Sequence, residues 1–314
     1  MSRIVRVAMT ETRNVYGPMP ESLDGLEILA GNLEGIRAAN VAHHVSLIEA
    51  AAEAGAQCVG LGELFTAPYF ALERRDLWLA MAEDAVSGPT VTTLREVAGR
   101  LGVVLVAPIY ELDSDTGKRF NTAVVIDSDG RWCGRYRKTH IPSGTNEQAT
   151  FHETFYYGPA DGAAQPSGAR VVGQNPYFPV FPTAVGQIGV AICFDRHFEG
   201  VMSTLEAAGA ELVFCPAITF GEKSMRMWRH EFPTDAMRHS LVICGSNRRG
   251  AEAPWNVPFP GGTYAVDPNG LLENMSEHEG LVVVDADLGG PGSSDPAGWD
   301  LAANARPGIY GKSG

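Results

Sequence analysis

The stretch Gly189-Val-Ala-Ile-Cys-Phe-Asp-Arg-His197 decides how the rest of the chain is read. An apolar strand runs straight into a cysteine, and the character then switches to charge. That places a thiol at a strand end, where α/β proteins build their clefts. A buried core cysteine is the commoner fate of this residue type. Cys58, Cys215 and Cys244 lie inside apolar runs and suit that fate better. Cys133 lies in a hairpin strand beside Trp132 with no polar cluster nearby.

Working outward, apolar runs rich in β-branched residues alternate with helix-like segments. Strands are expected at Ile4–Met9, Cys58–Leu61 and Val103–Tyr110, with helices near Asn40–Ala54 and Val91–Leu101. Thr122–Ile126 and Arg131–Tyr136 flank Asp129-Gly130, the signature of a tight hairpin turn. Gln187–Cys193, Leu212–Cys215 and Leu241–Ser246 read as further strands, with helices near Gly200–Ala208 and Met227–His239. Tyr264–Val266 and Leu281–Asp285 close the pattern as a hairpin-like pair. Alternation mixed with hairpins points to a mixed-sheet α/β layer protein.

Composition sets the bounds. With 314 residues, 45% of them hydrophobic, the chain can bury a substantial core. No Pro/Gly/Ser-rich or charge-rich linker divides it. One large domain over residues 1–287 is expected, followed by a C-terminal arm over 288–314 packed at an oligomer interface. Lys and Arg total 24 against 37 Asp and Glu, a formal net charge of −13. That balance argues against nucleic-acid and anionic-membrane partners, though not against a small anionic substrate. The first strand leaves no room for a signal-peptide h-region, and no stretch reaches the roughly 18 apolar residues of a membrane span. Five widely spaced cysteines without a CxxC pair argue against a disulfide framework or a structural zinc site. The expected location is the cytoplasm. One segment stands apart: 146–182 is rich in Gly, Pro, Asn and Tyr and has little periodicity. So long a loop inside a domain is usually functional, and it reads as an active-site wall or an oligomer contact.

Three further residues complete a possible chemistry. Glu63 closes an apolar strand after two glycines, in Val59-Gly-Leu-Gly-Glu63, a costly placement for a carboxylate unless it is partnered. It could accept a thiol proton as general base. Lys138, in Arg135-Tyr-Arg-Lys138, would by itself be surface charge. Beside a thiolate, its ammonium would lower the thiol pKa and stabilise an oxyanion. Glu153 lies in the irregular segment and would alone be read as solvated. His140 and His197 are candidate bases for a Cys–His pair, but nothing in the sequence marks either as oriented for that task. A dinucleotide fold is disfavoured: Gly60-x-Gly62 closes a strand, but the third glycine of that fingerprint is replaced by Phe65.

The order Glu63, Lys138, Cys193, each at the end of a separate strand, resembles the nitrilase superfamily of carbon–nitrogen hydrolases. The flanking words are similar as well: Asn121-Thr-Ala-Val-Val-Ile126, Arg137-Lys-Thr-His-Ile-Pro142, Glu153-Thr-Phe-Tyr-Tyr157, Ile192-Cys-Phe-Asp-Arg-His197 and Ser246-Asn-Arg248. Within the superfamily the chain looks most like the β-ureidopropionase branch, which hydrolyses N-carbamoyl-β-alanine. The resemblance implies a four-layer α-β-β-α sandwich of two mixed sheets flanked by helices. It implies Cys193 as nucleophile, Glu63 as general base, Lys138 as stabiliser of the tetrahedral intermediate and Glu153 as its orienting partner. The backbone N–H of Phe194 would complete the oxyanion hole. Arg196 would bind a substrate carboxylate bidentately, with His197 beside it. No metal or organic cofactor is implied, and the expected partners are a small carbamoyl or amide substrate and further copies of the chain. An aliphatic amidase or a nitrilase would use the same triad, and a non-catalytic binding protein could retain the fold. The usual Glu-Gly after Tyr157 is replaced by Gly158-Pro159, at the start of extra Gly/Pro/Ala-rich sequence.

Overall fold

The computed structural model describes residues 2–289, 301–306 and 309. Two six-stranded sheets organise it. The first runs in the order β16 (Leu281–Asp287), β1 (Ile4–Thr10), β2 (Cys58–Gly60), β3 (Val104–Leu112), β4 (Arg119–Ile126), β5 (Trp132–Arg137). The second runs β15 (Gly270–Leu271), β14 (Tyr264–Asp267), β11 (Val242–Asn247), β10 (Leu212–Ala217), β9 (Gly186–Val190), β8 (Phe181–Thr183). Each has three parallel strands at its centre, β1-β2-β3 and β9-β10-β11, and antiparallel strands on either side. Two short ribbons, β6 (Ser143–Thr145) with β7 (Thr150–His152) and β12 (Arg249–Ala251) with β13 (Pro258–Pro260), sit outside the sheets.

Period-two alternation makes the layers. Val7, Met9, Cys58, Val104, Val106, Ala123 and Val125 of the first sheet share one core with Val190, Leu212, Phe214 and Val242 of the second. The residues between them, Ala8, Val59, Leu105, Ala107 and Val124, face a second core with Leu47, Ile48, Leu94 and Val97. These come from α1 (Leu33–Glu53) and α2 (Pro89–Leu101). Across the second sheet, α4 (Gly200–Ala207) and α5 (Glu222–His239) bury Leu205, Trp228, Phe232 and Ala236. The result is helices, sheet, sheet, helices: the expected four layers. No described helix is long and apolar enough to cross a membrane.

Local chemistry sets the element ends. Pro89 opens α2 where a missing N–H costs nothing, and Gly102 at φ 70° stops it in the left-handed conformation. The glycines before Glu63 are steric necessities. A Cβ on Gly60 would lie 2.3 Å from the ring of Phe214 in the facing sheet, and one on Gly62 would lie 2.1 Å from Thr12 Oγ1.

Two expectations change. Tyr264–Val266 and Leu281–Asp285 do not pair with each other: β14 pairs with β11 in the second sheet and β16 with β1 in the first. Both are short apolar stretches close in sequence, which conceals that they belong to different sheets. The irregular segment 146–182 is partly regular. It holds β7 and the single turn α3 (Glu153–Tyr156), and its later part runs along the open edge of β5. There Ala160 N–H donates to Lys138 O at 2.9 Å, Arg170 N–H donates to Cys133 O at 2.7 Å, and the Gln165 side-chain amide accepts from Arg135 N–H and donates to Arg135 O. The loop thus covers a sheet edge that would otherwise expose unpaired backbone groups. The expected arm over 288–314 falls mostly outside the described residues; within it, α6 (Leu301–Asn304) lies beside α5.

Candidate active site

Glu63 and Cys193 each follow the C-terminal end of a parallel strand, β2 and β9, one in each sheet, and Lys138 follows β5 directly. All four expected catalytic side chains are buried: Glu63 and Lys138 at 0% exposure, Glu153 at 2%, Cys193 at 7%. Lys138 Nζ donates to Glu63 Oε1 at 2.8 Å and to Glu153 Oε2 at 2.6 Å. One ammonium therefore bridges two carboxylates, and the charges acting on the Cys193 thiol are Glu63, Lys138, Arg196 and Glu153.

Each member is further held. Glu63 Oε1 also accepts from Asn121 Nδ2 at 2.7 Å, and Oε2 accepts from the Ile218 N–H at 2.8 Å. Glu153 Oε1 accepts from the Tyr69 hydroxyl at 2.9 Å. Arg248, fully buried, donates from Nη2 to the carbonyls of Glu63, Leu64 and Ala67 and pairs through Nη1 with Glu252. It thereby fixes the turn after β2, in which Leu64 has φ 49°.

Cys193 opens a short 3-10 turn, Cys193–His197, and has φ 51°, a sparsely populated conformation for a residue with a side chain. Arg196 Nη1 donates to the Cys193 carbonyl at 2.7 Å and helps hold it there. Phe194 is the second residue of the turn, a position whose N–H has no partner within the helix.

Burial sets the protonation states. Burial, and then the neighbouring Glu63, push the Cys193 thiol up to about 12, against the opposing pull of Lys138 and Arg196. Burial alone would lower Lys138, but Glu153 and Glu63 outweigh it and hold the ammonium well above its ordinary value. Burial raises Glu153, with Lys138 opposing. Acidity does not single out Cys193, since burial takes Cys133 up only to about 11. What distinguishes Cys193 is a carboxylate and an ammonium beside it. A thiol held neutral next to a fixed base can be deprotonated as it attacks.

The remaining expected residues are placed differently. Arg196 is 4% exposed, forms a 2.9 Å ion pair from Nε to Glu231 Oε2, and lies 5.2 Å over the Trp228 ring. A substrate carboxylate would have to compete with Glu231 for it. His197 Nδ1 also meets Glu231, and His140 Nδ1 meets Asp195 Oδ1 at 2.8 Å, so both imidazoles have carboxylate partners of their own. The sequence reading assigned no part to Asn121, Tyr69, Arg248 or Asp195. Asn121, Arg248 and Asp195 lie inside the quoted motifs, and for Asn121 the available signal is a polar residue in a strand that is otherwise largely apolar.

The carbon–nitrogen hydrolase family model matches residues 34–293. N-carbamoylputrescine amidase of Solanum tuberosum is 29% identical over 86% of this chain and 88% of its own length. β-Ureidopropionase of Arabidopsis thaliana is 36% identical over 69% of this chain, which spans about half of that protein (48%). A solved carbon–nitrogen hydrolase from Helicobacter pylori G27 superposes with a TM-score of 0.76 at 22% identity, covering 98% of this chain and 97% of that one. Fold and sequence agree: the chain belongs to the carbon–nitrogen hydrolase family and is an enzyme of the nitrilase superfamily.

Proposed function

We propose that the protein hydrolyses the carbamoyl C–N bond of an N-carbamoyl amino acid, of the N-carbamoyl-β-alanine type, through a thioester on Cys193. The observation that carries this reading is the Lys138 ammonium held between Glu63 and Glu153 in a buried cluster whose charges act on the Cys193 thiol. Glu63 takes the thiol proton as Sγ attacks the carbonyl carbon. The resulting oxyanion is stabilised by Lys138 and the Phe194 N–H. Glu63 returns the proton to the departing nitrogen, which leaves as neutral amine, and Cys193 keeps the acyl group as a thioester. Glu63 then deprotonates a water that attacks the thioester; collapse restores the thiol and releases carbamic acid, which breaks down to ammonia and carbon dioxide. Glu153 holds Lys138 in place throughout. Relatives named for carbamoylputrescine, for β-ureidopropionase and as a citrullinase support a carbamoyl group as the reacting end. Five unpaired thiols suit a reducing compartment, so the proposal places the enzyme in the cytoplasm. Homo-oligomer assembly is carried over from the family resemblance.

A second reading concerns the far end of the substrate. Arg196 is expected to anchor a carboxylate, but it is already paired with Glu231. That pairing favours a carbamoyl compound ending in an amine. The test is ammonia release from N-carbamoyl-β-alanine, N-carbamoylputrescine, a simple aliphatic amide and a nitrile, with wild type, Cys193→Ala and Arg196→Ala. Turnover of the carbamoyl acid alone, abolished by Cys193→Ala and with KM raised by Arg196→Ala, supports the first reading. Preference for the carbamoyl amine selects the second. Preference for the plain amide or nitrile removes both, and Cys193→Ala with unchanged turnover removes the thioester mechanism.

A further inference from the structure

We propose that Asp195 is a positioning residue that ties the strand end bearing Lys138 to the turn bearing Cys193, and so sets the ammonium against the thiol. This rests on the catalytic reading of those two residues. Asp195 is fully buried, and every contact on its carboxylate comes from a donor. Oδ1 accepts from the His140 N–H at 2.9 Å and lies 2.8 Å from His140 Nδ1. Oδ2 accepts from the Tyr136 hydroxyl at 2.6 Å and from the Ile192 N–H at 2.9 Å.

The placement of these partners carries the argument. Tyr136 and His140 stand two residues on either side of Lys138, while Ile192 immediately precedes Cys193 and Asp195 lies in the same turn. The carboxylate therefore joins the first sheet's edge strand to the second sheet's catalytic turn. Lys138 is fixed from other directions by its own backbone: its N–H donates to Asn121 O at 2.8 Å and its carbonyl accepts from Ala160. Phe198, next along from the turn, stacks on the His140 ring at 3.7 Å and reinforces the tie. Tyr136 remains a neutral donor, because burial and then Asp195 hold its phenol well above the ordinary value.

The requirement is for acceptors on both oxygens. Asp195→Asn keeps the size but turns at least one N–H towards a donor, so the strand end and the turn should separate slightly. A small misplacement of reacting groups costs about ten- to a hundred-fold in rate. The expected result is a kcat lower by about that factor with KM changed much less. In Tyr136→Phe, where the carboxylate keeps its charge, the Cys193 thiol should also ionise at higher pH than in wild type, because the Lys138 charge that favours the thiolate has moved away. The groups facing that thiol are Glu63, Lys138, Arg196 and Glu153. Asp195→Asn also removes a negative charge from the turn, which by itself favours the thiolate. The titration is therefore read in Tyr136→Phe, which keeps the carboxylate. The experiment measures kcat, KM and thiolate absorbance against pH for wild type, Cys193→Ser and Asp195→Asn, with Tyr136→Phe as a milder variant that keeps the carboxylate. Tyr136→Phe should show a smaller fall in kcat, and it decides the matter if Asp195→Asn does not fold. Wild-type kcat in the folded variants, or a wild-type thiol titration in Tyr136→Phe, would overturn the proposal. A wild type that releases no ammonia, or a Cys193→Ser variant that still does, would instead overturn the catalytic reading beneath it.

Discussion

Lys138 Nζ lies 2.8 Å from Glu63 Oε1 in a site where neither side chain is exposed to solvent. The pair sets a carboxylate and an ammonium side by side, and both act on the Cys193 thiol. Glu63 has opposite effects on the two stages of the proposed reaction: its charge disfavours the thiolate at rest, yet it is the acceptor of the thiol proton during attack.

Replacing Glu63 by Gln separates those effects. Turnover should fall by about 10²–10⁴-fold, the usual contribution of a positioned general base. The Cys193 thiol, freed of a neighbouring negative charge, should titrate at lower pH than in wild type. Thiolate absorbance against a Cys193→Ser blank reads the second effect directly. A midpoint that rises or stays put would mean that Glu63 is not the carboxylate acting on the thiol.

Lys138→Met leaves two carboxylates facing each other without their cation. Breaking a buried pair costs about 3–5 kcal/mol, and thermal unfolding should show it. Lys138 lowers the Glu153 pKa in the native protein, so its loss raises that value further. For a carboxylate whose folded pKa is raised, the sign follows. Below the unfolded value both states are protonated and no penalty arises. As pH climbs past it the unfolded state ionises first, and stability falls. The stability deficit of Lys138→Met should therefore shrink on acidification. A deficit that grows as pH drops would contradict this.

Much of the architecture can be read from residue pattern because the central strands are apolar runs buried on both faces, as in Val104–Leu112, where Val104 and Val106 face the other sheet and Leu105 and Ala107 face the helices. The start of α1 is harder. Besides Arg37, its buried residues include Asn40 and His44 at helical spacing between Ile36 and Ile48, which breaks the apolar period. Both are satisfied internally: Asn40 Oδ1 accepts from the Val15 N–H, and His44 Nδ1 meets Asn40 O. In the site, Glu63 and Cys193 are legible as a charge and a thiol ending apolar runs, whereas Lys138 follows Arg135-Tyr-Arg137 and is marked only by the motif it shares with the family. Arg248 and Asp195 stand in the motifs, but their roles do not show there: Arg248 holds the carbonyls of Glu63, Leu64 and Ala67, and Asp195 meets Tyr136 and His140, all distant in sequence. The Arg196–Glu231 pair is equally hidden, since nothing in the motif around Cys193 points to a residue on α5.

Arg248→Lys tests whether the turn after β2 depends on a planar fork. The guanidinium reaches three carbonyls and one carboxylate at once, and an ammonium cannot reproduce that spread. Stability should drop by about 1–3 kcal/mol for each buried acceptor left unpaired, with loss of turnover as Glu63 drifts. Wild-type melting and kcat would show that the turn holds itself.

Gly60→Ala probes the spacing of the two sheets without touching a reacting group. Its new methyl would meet the Phe214 ring at 2.3 Å, in a core where the ring cannot swing into solvent because Phe214 is 1% exposed. Overpacking of this kind costs about 1–3 kcal/mol. Relief must come from Phe214 or from a shift of β2, and a shift of β2 carries Glu63 with it. The companion substitution Phe214→Leu removes the clashing ring edge. Denaturant melts and kcat of both single variants and the double variant then form a cycle. If the sheets are set apart by this contact, the double variant should recover part of the stability and activity lost in Gly60→Ala. Losses that merely add would locate the strain elsewhere than between Gly60 and Phe214.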